Sequence, residues 1–122
     1  MTTIEMDQYL VSIGGLENGW KTDMPKILDS GFMTVCDGWL QLIHDLIEEI
    51  IPLGWNKEIC QIKEKFGGLR FYTNAAPSSV HEVITKYENL SRKTCETCGK
   101  PGTMRRTESG WHYTSCNDCD KK

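Results

Sequence analysis

The sequence predicts an α+β fold: a small helical core carrying a two-stranded hairpin, open to extension into a larger sheet, and a C-terminal zinc ribbon. Three observations predict it. Cys95 and Cys98 are two residues apart, as are Cys116 and Cys119, and seventeen residues separate the pairs. Strand-like runs at Lys57–Phe66 and Leu69–Thr73 flank Gly67–Gly68. Leu40, Ile43, Leu46, Ile47, Ile50 and Ile51 recur at intervals of three and four, the period of a helix with one apolar face. Residues 1–93 are assigned to the core and 94–122 to a ribbon mounted rigidly on it.

In chain order, Thr2 and Glu5 form a T-x-x-E capping box that opens a helix to about Ile13. Ile4, Met6, Tyr9, Leu10 and Ile13 make its apolar stripe. Gly14–Gly15 ends it, and a loop runs to Trp20. Asp23 caps a short second helix with Pro25 in its first turn, Ile27 and Leu28 inward, and Gly31 as its stop. The third and strongest helix runs from Asp37 or Gly38 to Ile51, with Pro52 and Gly54 closing it.

The hairpin follows. A primed turn at Gly67–Gly68 pairs Phe66 with Leu69, Lys65 with Arg70, Glu64 with Phe71 and Lys63 with Tyr72. One face then carries Cys60, Ile62, Phe66, Leu69 and Phe71 toward the helices. The other carries Gln61, Lys63, Lys65, Arg70 and Tyr72. Lys65 opposite Arg70 is an unfavourable like-charge pair, and Glu64 lands on the apolar face. Asn74–Ser78 is a loop. Ser79 and Glu82 make a second capping box for a helix to about Lys93, with Val80, Val83, Ile84, Tyr87 and Leu90 inward.

The cysteine spacing is that of a structural zinc site. Cys95, Cys98, Cys116 and Cys119 supply four thiolates to one Zn2+. Gly99 suits the turn of the first knuckle, and Pro101–Gly102 leads the chain out. Met104–Thr107 and Trp111–Ser115 form a short hairpin over Glu108–Ser109–Gly110. A ribbon of this size has almost no core, so the metal supplies most of its folding free energy. Four cysteines leave no open position for water, which argues against a catalytic metal. His112 lies in the ribbon but the cysteine set needs no further ligand. The alternative of two disulfides requires an oxidising compartment. Met1–Asp7 holds two acids and no base, unlike a signal peptide. A cytoplasmic protein is expected, without a membrane span. Cys36 and Cys60 read as small buried apolar residues.

The net charge of −3 conceals a polarity. Residues 1–52 sum to −7 and residues 53–122 to +4. Such a chain suits a charged partner; the plain alternative is that the acidic helices neutralise the basic hairpin. Asp45, Glu48 and Glu49 on the third helix are one candidate partner surface. Lys63, Lys65, Arg70 and Tyr72 on the hairpin are the other.

Several blocks resemble small proteins encoded in phages and prophages. These are Gly38-Trp39-Leu40-Gln41-Leu42-Ile43, Ile62-Lys63-Glu64-Lys65-Phe66-Gly67-Gly68-Leu69-Arg70-Phe71-Tyr72, Cys95-Glu96-Thr97-Cys98-Gly99-Lys100-Pro101-Gly102 and the terminal C-x-x-C. The resemblance covers about residues 36–119 and carries no activity over residue by residue. Small size, a cytoplasmic zinc site and this sequence type are also similar to zinc-containing anti-CRISPR proteins that act on type II-A Cas9. That similarity implies a stoichiometric inhibitor, without catalysis, that occupies a Cas9 surface and blocks guide loading, DNA loading or nuclease movement. Cas9 holds nucleic acid in a basic channel, which an acidic surface would suit.

Three functions follow. The first is a phage-encoded inhibitor of a host defence protein such as Cas9, acting in the host cytoplasm. The second is a nucleic-acid-binding zinc-ribbon module using Lys63, Lys65, Arg70, Tyr72, Lys100, Arg105, Arg106 and Trp111; a pI of about 5.6 weighs against it. The third is an enzyme. His44, His81 and His112 are scattered without a recognisable nucleophile spacing, so no catalytic residue is assigned.

Overall fold

The computed structural model describes residues 1–13, 33–57, 59–73 and 75–120. The loop to Trp20 and the short helix begun at Asp23 lie outside them. Helix α1 spans Thr3–Ser12. Its capping box is reciprocal: the Thr2 N–H donates to Glu5 Oε1 at 2.8 Å, and the Glu5 N–H donates to Thr2 Oγ1 at 3.1 Å. Met6 and Leu10 are fully buried. Ile4, expected inward, is exposed; it shares neither the Met6–Leu10 face nor a neighbour to cover it.

A short strand β1 (Met33–Thr34) leads to a 3-10 turn at Asp37–Trp39 and then to helix α2 (Leu40–Ile50). The predicted stripe is the core: Leu40, Ile43, Leu46, Ile47 and Ile50 are buried. A second 3-10 turn, Ile51–Leu53, ends in Gly54 at φ 89°, the left-handed position that glycine fills without a steric penalty.

Strands β2 (Ile59–Lys65) and β3 (Gly68–Thr73) form the predicted hairpin, and β1 adds to β2 in parallel. The register differs from expectation by two residues. Lys63 pairs with Arg70, Glu64 with Leu69 and Lys65 with Gly68. A two-residue slip preserves the alternation of faces along the paired residues 61–65 and 68–72, so Ile62, Leu69 and Phe71 still enter the core. The turn residues are Phe66 and Gly67, at φ 53° and 80°. Glu64 is what closes this turn, its Oε2 accepting the Gly67 N–H at 2.9 Å. Gly68 lies within the strand, where an added Cβ would stand 3.2 Å from the Arg92 guanidinium. Phe66 therefore projects from the tip and is exposed.

The predicted burial of Cys36 and Cys60 fails; both are exposed. At Cys60 the cause is a bulge. The register shifts between Ile59 and Gln61, and the extra residue lets Ile59 turn inward while Cys60 turns out.

Helix α3 (Ser78–Ser91) begins one residue earlier than its predicted capping box. Pro77 occupies the cap and no side chain bonds there; the Pro77 carbonyl accepts the Val80 N–H at 3.0 Å. Val80 and Ile84 are buried, whereas Leu90 is largely exposed. This helix also protects the sheet. β3 is an edge strand, and unpaired edge donors invite aggregation. Ser91 Oγ accepts the Leu69 N–H at 2.8 Å and Glu88 Oε2 accepts the Phe71 N–H at 3.1 Å, so α3 side chains fill the role of a fourth strand.

The ribbon hairpin consists of β4 (Thr103–Arg106) and β5 (His112–Ser115), and a short helix α4 (Asn117–Asp120) ends the described chain. Among the described residues no helix is long and apolar enough to cross a membrane.

Candidate metal centre

The four ribbon cysteines converge. Their sulfurs all lie within 4.8 Å of one another, so together they could hold a metal ion. Cys98 Sγ and Cys116 Sγ are 3.6 Å apart. Each pair sits on a turn made by backbone hydrogen bonds. In the first, the Cys95 N–H donates to the Lys100 carbonyl at 2.7 Å and the Gly99 N–H to the Cys95 carbonyl at 2.9 Å. Gly99 takes φ 83° there. In the second, the first turn of α4 brings the Cys119 N–H to 3.4 Å from Cys116 Sγ. Arg105 fixes α4 in place, reaching the Ser115 carbonyl, Asn117 Oδ1 and Asp120 Oδ2 at 3.2, 2.8 and 3.1 Å.

The electrostatics suit a cation. Burial opposes ionisation of the Cys95 thiol, but N–H donors from Cys116, Cys98 and Thr97 outweigh it and bring it down to about 6. The Cys119 N–H likewise holds Cys116 below the ordinary thiol range. Side-chain hydrogen bonds with Cys116 and Cys98 push Cys119 up to about 12. Accumulating negative charge resists the last deprotonations, and a divalent ion removes that resistance.

Main-chain hydrogen bonds join this centre to the core. The Gly38 N–H donates to the Glu96 carbonyl at 2.9 Å, and the Gly102 N–H to the Lys93 carbonyl at 2.8 Å. The buried Trp39 indole N–H reaches the Thr94 carbonyl at 2.9 Å, satisfying a polar atom that burial would otherwise leave costly. Thr114 Oγ1 donates to the Gly67 carbonyl at 2.7 Å, tying the tip of the β2–β3 hairpin to strand β5 of the ribbon.

The other candidate residues separate into two groups. The acidic residues of α2 have internal partners. Asp45 Oδ1 accepts from Gln41 at 3.0 Å and lies 3.1 Å from His44 Nδ1. Glu48 Oε2 accepts the Tyr9 hydroxyl at 2.9 Å. Glu49 accepts from Lys86 and from the Tyr87 hydroxyl, and both hold its carboxyl below the usual range. Glu48 thus fastens α1 to α2, and Glu49 fastens α3 to α2. Among the described residues, Lys86 is the one lysine or arginine that ion-pairs with α2, and no hairpin residue does.

The basic residues stand on the outer face of β2 and β3. Among the described residues, Lys63, Lys65 and Arg70 form no ion pair. Lys63 Nζ lies 5.7 Å from the Tyr72 ring centroid. Lys100 and Arg106 are exposed and Arg105 is committed to α4. Trp111 is exposed on the ribbon, beside Phe66, which sequence reasoning had placed in the core. The only sequence signal for Phe66 was its place before two glycines, either of which could have followed the turn. Compared with known proteins, the chain matches no family model, no curated protein and no solved structure.

Proposed function

We propose that the chain is a zinc-stapled, non-catalytic module that binds nucleic acid through the outer face of its β2–β3 hairpin. Zinc suits the donor set. Sulfurs about 2.3 Å from a tetrahedral Zn2+ stand about 3.8 Å apart, close to the 3.6 Å between Cys98 and Cys116. Four thiolates close the coordination shell, so the ion holds a shape and does no chemistry. The observation that carries the binding reading is the contrast between the two charged surfaces. Glu48 and Glu49 of α2 are engaged by Tyr9, Lys86 and Tyr87, and Asp45 by Gln41 and His44. Lys63, Lys65 and Arg70 share one face without a carboxylate partner among the described residues. Like charges held side by side, Lys63 directly opposite Arg70, cost stability, and a phosphate chain would relieve that cost. The negative charge of the chain lies in residues 1–52, which sum to −7, while residues 53–122, which hold the hairpin, sum to +4.

The test is binding to a fluorescent oligonucleotide across a salt series. Affinity should fall steeply with salt, and Lys63→Glu with Arg70→Glu should lower it at least about tenfold and flatten the slope by about two contacts. A salt-independent affinity, or one the double variant leaves intact, would count against this face.

A second reading is favoured by a groove of about 630 Å3 between α2, α3 and the first knuckle, lined by Asp37, Gln41, Leu42, Asp45, Leu90 and Thr97 among others. Asp37 and Asp45 beside Leu42 and Leu90 in its lining suit a cationic protein surface. It agrees with the resemblance to phage-encoded inhibitors of type II-A Cas9. Titration into a Cas9–guide DNA-cleavage reaction decides it: inhibition saturating near one protein per Cas9 supports the inhibitor, and full cleavage at large excess rejects that target.

A further inference from the structure

The tips of the two hairpins enclose a cleft of about 200 Å3, lined by Glu64, Lys65, Phe66, Gly110, Trp111 and His112. Phe66 is 67% exposed and Trp111 64%. Both are large aromatics on a surface where they bury little. Phe66 is also conformationally costly. It occupies the first central position of a primed turn at φ 53°, where glycine or asparagine is favoured and a bulky residue is an outlier. A phenylalanine that violates its local preference and gains little burial points to a role outside the fold.

The surroundings say what that role is. Lys65 Nζ lies 5.7 Å from the Phe66 ring centroid, on one side of the cleft. The Arg106 guanidinium stands 3.4 Å from where a Cβ on the lining residue Gly110 would be. Glu64 also lines the cleft, with its Oε2 turned to accept the Gly67 N–H. The His112 and Phe66 rings are nearly perpendicular, with centroids 6.4 Å apart. The Thr114–Gly67 hydrogen bond holds the tip of the β2–β3 hairpin against strand β5. Planar apolar walls flanked by cations fit a flat ring on an anionic backbone.

We infer that the Phe66–Trp111 cleft seats an unpaired base of a single-stranded nucleic acid, with Lys65 and Arg106 on the flanking phosphates. This rests on the nucleic-acid reading and adds to it a preference for single strands. A base within a duplex presents no free face to stack. A basic face alone would not discriminate, because both forms carry phosphates.

The experiment compares the full-length zinc-loaded protein on an oligonucleotide of about 12 residues, single-stranded and as its duplex. The single strand should bind more tightly and quench Trp111 fluorescence, a signal lost in Trp111→Phe. Phe66→Asn is the informative variant. Asparagine suits the left-handed turn, so its melting temperature should hold or rise, while single-strand affinity falls about tenfold. Equal binding of both forms with a steep salt dependence would leave the basic face standing and overturn the base slot. So would a Phe66→Asn protein that binds single strands as the parent does. No binding to either form at low salt would overturn the slot and the nucleic-acid reading together.

Discussion

Zinc removal by a strong chelator should lower the melting temperature by about 10 °C or more, and Cys98→Ser should reproduce that loss with less than one zinc bound per chain. The expectation follows from how little else holds the ribbon. Between Cys95 and Asp120 the buried residues are Cys95, Thr114, Ser115 and Cys116; no large apolar side chain is among them. Transfer of apolar surface from water therefore contributes little there. Structural zinc sites in peptides of comparable size contribute on the order of 10 kcal/mol, most of which this ribbon needs to order itself. The loss should also reach the core. Without the knuckle, the buried Trp39 indole loses its Thr94 acceptor and Gly38 its Glu96 acceptor. An orphaned buried donor costs about 1–3 kcal/mol, so one transition for core and ribbon should fall as a unit. Metal content and melting temperature measured on the same samples check this. A zinc-free protein that melts where the loaded one does would show that the thiols alone hold the ribbon.

The metal centre was legible in the sequence because its signal is local. C-x-x-C spacing encodes a tight turn, and two such turns encode a tetrahedral set of sulfurs. Helix α2 was legible because its apolar period is long and uninterrupted. The faces of the hairpin were also legible, since alternation survives a slip of two residues. The register was not. It depends on Glu64 reaching the Gly67 N–H and on Arg92 and Tyr113 crowding the two glycines. The glycine contacts join residues up to 46 positions apart, and no window on the hairpin contains Arg92 or Tyr113. The burial of Cys60 failed for a related reason: one extra residue in a strand reverses its facing, and a bulge leaves no mark in the alternation. The acidic face of α2 looked free in sequence because its partners come from α1 and α3. Charge reversal at Glu48 and Glu49 would consequently break the joints between helices and could not isolate a binding surface.

Gly38→Ala should destabilise the protein by about 3 kcal/mol, near the upper end of what overpacking costs, and weaken zinc retention. Conformation does not demand glycine at this position: among the described residues, the glycines with positive φ are Gly54, Gly67, Gly99 and Gly110. Intrinsic helix propensity would even favour alanine, by up to about 1 kcal/mol. Space is what demands it. A Cβ on Gly38 would stand 2.3 Å from the Cys95 carbonyl oxygen and 2.5 Å from the Glu96 carbonyl carbon. Both are backbone atoms of the knuckle, so no side-chain rotation relieves the overlap. Either the start of α2 moves away, losing the Gly38–Glu96 hydrogen bond, or Cys95 shifts and takes its sulfur with it. Gly54→Ala is the control. It places a Cβ at φ 89° but in open space, 3.9 Å from the Pro77 ring, so only left-handed strain of about 1–2 kcal/mol applies. If steric contact with the knuckle governs, Gly38→Ala melts well below Gly54→Ala and loses zinc more readily, whereas Gly54→Ala keeps its metal. Equal melting temperatures with equal zinc retention would mean the knuckle yields to the added methyl. The junction between α2 and the metal centre would then be softer than its hydrogen bonds imply.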